Sequence, residues 1–223
     1  MKKAIFQLLL VALAVSSCAT ARYYGGFTPE TARQDMVLLG PVSNIYYLDQ
    51  DNHESFSDTL SGVSETLIAG LVDELGLPVS GQIELDEQQK EEATAFMHYL
   101  LRKDAKNLDK SLVPGVLDDI LEEQGCRYGL LLVAQGMTRD RKGYRKEAVK
   151  GALLGVATAI LSLGTVVMYS TPDMYASQVS AVVLDSQTDQ IVFFHTTKPQ
   201  ETNPLHTDPV REQLSRLLKD FLK

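Results

Sequence analysis

The chain has 223 residues, 44% of them hydrophobic, and a formal charge of −8 at pH 7. A chain of that length buries about 70% of the surface its unfolded form exposes, so one substantial core can form without disulfide or metal support. The acidic balance argues against a general nucleic-acid binder, whose footprint carries the opposite sign.

Residues 1–17 have the layout of a secretory signal peptide: Lys2 and Lys3, the apolar run Ala4 to Val15, then small residues. The run is too short for a transmembrane helix. Val15-Ser16-Ser17-Cys18 resembles a bacterial lipobox, which implies that the Cys18 thiol is diacylated, that the leader is cut before it, and that the new amino group is acylated as well. Two or three acyl chains on one residue exceed the pair of signals that stable anchoring takes. Cleavage would leave 19 basic against 29 acidic residues, a charge of −10. By the pattern of Gram-negative lipoproteins, Ala19 implies the outer membrane, and the lack of an acidic cluster over Ala19 to Arg22 implies the periplasmic face. Cys126 is then without an intramolecular partner, so no internal disulfide is expected.

From Ala19 to Gln34 no period is visible, so residues 18–34 are predicted to be a lipidated tether, with residues 35–223 forming a single α/β domain. Tyr23 and Tyr24 suit either headgroup contact or packing on the domain. Met36 to Val42 predicts a first strand ended at Pro41. Leu60, Val63, Leu67, Leu71 and Leu75 predict a helix whose apolar face they form, capped by Gly76. Val79 to Leu85 suits a short edge strand, and Asp86 with Gln89 makes a capping box for a helix burying Ala93, Phe96, Met97, Leu100 and Leu101. Pro114 starts a third helix that Gly125 ends.

Cys126 to Gly136, apolar on both faces over Leu130 to Ala134, predicts the centre of the sheet. Tyr175 to Leu184 and Ile191 to His195 predict a hairpin closed by the turn formers between Asp185 and Gln190. Asp208 as cap and Pro209 as first residue open a last helix with Val210, Leu214, Leu217, Leu218 and Phe221 on one side.

A basic cluster (Arg139, Arg141, Lys142, Arg145, Lys146, Lys150) and the uncharged run Gly151 to Pro172 separate the central strand from the hairpin. This insert, about 143–172, is predicted to be helical and not membrane-spanning, because the basic cluster precedes it on the exported side and crossing would part the hairpin from its sheet. Burial against its own domain, self-association through the Gly151 and Gly155 pair, and contact with a membrane surface all remain open. The candidate partner or membrane contacts are Arg141, Lys142, Arg145, Lys146, Gly151 and Gly155.

With its lipobox, its Tyr128 to Gly136 strand, the Val179 to Asp185 strand turning into Ile191 to Phe194, and the closing helix, the chain resembles the periplasmic lipoprotein superfamily that includes the curli-secretion lipoprotein and the amino-terminal domain of TolB, and small Bacteroides-type lipoproteins. The resemblance implies a mixed α/β (α+β) fold: a single mixed sheet, a carboxy-terminal antiparallel hairpin, helices packed on it, and the insert between core strands. Asp189 stands where the hairpin turn usually has Gly, and the paired amphipathic barrel hairpins of the curli protein are missing, which counts against pore formation.

There is no phosphate-cradling glycine loop, GxSxG elbow, HExxH or Cys-x-x-Cys, and His53, His98, His195 and His206 are scattered. No catalytic residue, metal or cofactor is predicted, and a small buried thiol is the expected state of Cys126. The sequence thus points to a membrane-anchored, non-catalytic binding or assembly module of the cell envelope, with an envelope protein or a second copy as partner and no nucleic acid. A secretion-pore component and an envelope hydrolase with an unrecognised site are the alternatives.

Overall fold

The computed structural model describes residues 21–33, 35–51, 53–103, 108, 113–145 and 173–222. Strand β1 is Arg22–Tyr23, β2 Met36–Leu48, β3 Glu54–Phe56, β4 Gln82–Ile83, β5 Tyr128–Arg139, β6 Tyr175–Asp185 and β7 Gln190–Thr196. The helices are α1 Pro29–Ala32, α2 Asp58–Leu75, α3 Glu87–Arg102, α4 Gly115–Glu123 and α5 Thr207–Leu217.

The strands make one mixed sheet in the order β1-β7-β6-β5-β2-β3, with β4 also on β2. As its two-faced apolar run demands, β5 is central: parallel to β2 from Met36↔Tyr128 to Leu48↔Arg139, and antiparallel to β6. Alternation along β5 then divides the core. Leu130 and Leu132 face one side with Ile68 of α2 and Leu214 of α5, while Leu131 and Val133 face the other with Met97 of α3 and Leu117 of α4. Gly129 lies where the packing leaves no room, since an added Cβ would come within 2.8 Å of Leu39 Cδ1 and 2.9 Å of Leu121 Cδ1. The mixed α/β class, the single mixed sheet and the antiparallel hairpin are as the sequence predicts.

Several expectations are corrected. The first strand runs through Pro41 to Leu48. A bulge at Gly40 (φ +24) shifts the register between Leu39 and Pro41, and the outer edge of β2 is free of strand partners there, β4 pairing at Leu38–Leu39 and β3 at Tyr46–Leu48. A proline costs no ladder bond at such a position. The exposed edge beyond it is closed by α2: Ser43 N–H donates to Glu65 Oε1 (3.2 Å) and Ile45 N–H to Ser61 Oγ (3.0 Å). That requirement rotates α2. Its buried face is Ser61, Ser64, Ile68, Leu71 and Val72, and Val63, predicted inside, is 50% exposed.

The presumed tether joins the fold from residue 21 onward: β1 pairs with β7, Phe27 and Ala32 are buried, and Phe27 packs edge-on against Tyr128. Its three aromatic residues, Tyr23, Tyr24 and Phe27, could be placed only by partners distant in sequence. The last helix is capped at His206, with Asp208 inside the first turn bonding Arg211. The predicted edge strand Val79 to Leu85 shrinks to Gln82–Ile83. Beyond β5, Asp140 Oδ1 accepts the N–H groups of Lys142 and Gly143 and opens a helical turn over 141–145. The predicted helix of the insert, with Lys146, Gly151 and Gly155, lies outside the described residues, as do the signal peptide and Cys18.

Candidate functional site

The carboxyl ends of the parallel pair β2 and β5 carry exposed aromatic side chains of the sheet. Tyr46, Tyr47 and Phe56 collect there, 38%, 36% and 48% exposed, and the Tyr46 and Phe56 rings meet edge-on at 5.8 Å. Their cause is local: β3 folds back on β2 as a hairpin, placing Phe56 opposite Tyr46. Burial, then the charge of Asp140 beside its hydroxyl (3.5 Å), pushes the Tyr47 phenol up. Arg141, Lys142 and Arg145, three of the predicted contacts, sit at this end on the helical turn following β5, and all are exposed. Acidic residues stand among them: Asp49 takes two N–H bonds and the His53 ring, and Asp140 caps the turn. The end is therefore aromatic and mixed in charge; the basic cluster does not form a one-sign surface.

A direction emerges from β1 that no periodicity shows. Tyr23 lies beside Phe193, and Arg22 beside Phe194, which is level with Val182 and Leu131. Because β7 runs parallel to β5, stepping back from Tyr23 through Arg22 to Ala21 leads toward the end where β5 stops. Ala21 and Arg22 thus lie toward the same end of the sheet as the helical turn 141–145 that follows β5.

Residues considered for chemistry are dispersed. His195 Nδ1 lies 2.8 Å from the carbonyl oxygen of Leu217 at the end of α5, and its ring packs edge-on to Phe193. Cys126 lies beyond the opposite end of the sheet, two residues before β5, where burial and the charge of Asp35 push its thiol up, opposite to what a nucleophile needs. The two side chains that could serve a hydrolase as nucleophile and base do not meet: His195 lines a cavity with Lys198 and Leu217, and Cys126 is not on its walls. No group of three metal-ligating side chains occurs among the described residues, and no described helix is long and apolar enough to cross a membrane.

At that same far end, Arg127 holds the buried Asp185 through two bonds, Nε to Oδ1 (3.1 Å) and Nη2 to Oδ2 (2.9 Å), fixing the hairpin turn on the start of β5. Asp189 completes the turn at φ +53, a left-handed conformation that Asp tolerates better than most residues, so the missing Gly is tolerable. Nearby, burial first and then the charge of Asp189 push the Asp118 carboxyl up. A carboxyl raised in the folded state penalises folding once ionised, and the penalty is absent below the ordinary Asp range. We expect Asp118→Asn to be the more stable form at pH 7, by less than about 1 kcal/mol at this half-buried position, and the gain to vanish on acidification through pH 4. Urea titrations at both pH values check this; a gain that persists in acid would refute the carboxyl repulsion.

No protein family and no curated protein matches the chain. Fold and site define it only as a mixed α/β domain with an aromatic sheet end. Among solved structures it is similar to PelC dodecamers from Paraburkholderia phytofirmans. A PelC point variant in space group C2 shows 11% identity over 91% of this chain and 98% of that one, with a TM-score of 0.41; a PelC dodecamer in space group P6 shows 13% identity over 92% and 97%, with a TM-score of 0.41.

Proposed function

We propose that this chain is a lipid-anchored, non-catalytic module of the cell envelope, tethered through Cys18 to the periplasmic face of the outer membrane, where the aromatic end of its sheet docks a protein partner or a second copy. The proposal takes residues 1–17 as the signal peptide and the remainder as one lipoprotein domain of the curli-secretion and TolB amino-terminal type. The observation that carries it is directional: β1 sends the amino-terminal stretch toward the same end of the sheet that bears Tyr46, Tyr47, Phe56 and the turn with Arg141, Lys142 and Arg145. An anchor at Cys18 would hold this end near the bilayer, and aromatic side chains with one polar tip suit such a wet boundary. Cys126 and His195 lie at opposite ends of the sheet, which supports a binding role over hydrolysis.

Two measurements on the full chain test the proposal. Metabolic palmitate labelling should mark the wild type and not Cys18→Ala; an unlabelled wild type would end the anchoring part. A photo-crosslinking phenylalanine at Tyr46 or Phe56 should give adducts in intact envelopes, and one at the exposed Thr66 of α2 should not. Adducts of twice the chain mass would identify a second copy. Equal or absent crosslinking at the three positions would remove the docking role.

A further inference from the structure

A cavity of about 560 Å³ lies between the carboxyl ends of β7 and α5, away from the Tyr46 patch. Its apolar wall is Ala21, Leu217 and the ring of Tyr23, and Lys198, Arg216 and Lys219 stand around it with His195. Two carboxylates are close, and both are engaged: Asp220 accepts from the Tyr23 hydroxyl at 2.9 Å, and Glu212 pairs with Arg216. Lys198 and Lys219 are exposed and have no ion pair among the described residues, so in a chain of net charge −8 the cavity presents two unspent cations beside an apolar floor.

Ala21 is three residues from Cys18, so the cavity wall lies within about 11 Å of the acylated residue even with the chain fully extended. We propose that this cavity binds a phosphate-bearing anionic lipid headgroup at the bilayer surface, Lys198 and Lys219 meeting the phosphate while the first carbons of the lipid lie on Ala21, Leu217 and Tyr23. A cationic rim over an apolar floor matches both halves of such a molecule, and two cations near the surface add electrostatic attraction to the anchor. The assignment of the lipid rests on the anchoring reading above; the site itself does not.

Titration of the full chain in zwitterionic detergent with dihexanoylphosphatidylglycerol, followed calorimetrically and by the His195 imidazole resonance, tests it. We expect saturable binding, weakened about tenfold or more by Lys198→Glu with Lys219→Glu. Lys198→Gln with Lys219→Gln, a milder change at exposed positions, should weaken it in the same direction. Unchanged binding in both variants, or equal binding of dihexanoylphosphatidylcholine, would overturn the site. Inorganic phosphate binding as tightly as the lipid would overturn the lipid assignment. Palmitate labelling of the same variants is expected to be normal, so a failed anchor and a failed headgroup site give different results.

Discussion

Phe193→Ala should lower stability by about 3–5 kcal/mol, the range for removing a buried aromatic ring. Phe193 is fully buried, and its ring lies 5.1 Å from Tyr23, 5.0 Å from Phe221 and 6.4 Å from His195. Both ends of the polypeptide therefore depend on one side chain: β1 pairs at that residue and the segment after α5 folds over it. Domains of this size have only about 5–15 kcal/mol of net stability, so the variant should sit near its unfolding threshold. Urea unfolding measures the loss, and limited proteolysis should find the first cuts at residues 21–33 and after α5. A loss below about 1 kcal/mol would mean that the cluster is not a shared joint, because even a partly collapsed cavity of that size costs more.

Arg127→Met should cost about 2 kcal/mol, less than the 3–5 of a fully buried pair because the guanidinium side is 37% exposed while Asp185 is 5%. The cost comes from what is left behind. Asp185 keeps only the N–H of Gln187 among its described side-chain donors, and an uncompensated carboxylate in the sheet interior lacks the solvation it had in the unfolded chain. Arg127→Met with Asp185→Leu should therefore recover at least half of the loss. A double variant worse than the single one would mean that the turn needs Asp185 for its own backbone bonds more than the pair needs charge neutrality.

How much of this was legible depended on the range of the forces involved. The β5 run Leu130 to Ala134 could be identified as central because a strand apolar on both faces has no other stable position. The hairpin with its Asp-rich turn, the Asp86–Gln89 capping box and the inward face of α3 were legible for the same reason, since each is set by neighbours within a few residues. The α2 face was misjudged because hydrophobicity favoured Val63 over Ser61 and Ser64, whereas the unpaired edge of β2 needed hydroxyl groups. The aromatic end left even less trace: Tyr46 and Phe56 belong to different strands and meet only in the β2–β3 hairpin, and Lys198 and Lys219 share a cavity across two elements.

By itself the sequence determined the class of fold and the central strand, because periodicity and turn chemistry are written in consecutive residues. Tertiary structure alone decided that Phe27 and Ala32 pack into the core, that Pro41 lies within a strand, and that β1 runs toward the end of the sheet that bears the exposed aromatics. Those outcomes turn on pairings between residues far apart in the chain, and which edge backbone groups still need a partner is settled only after the strands have met.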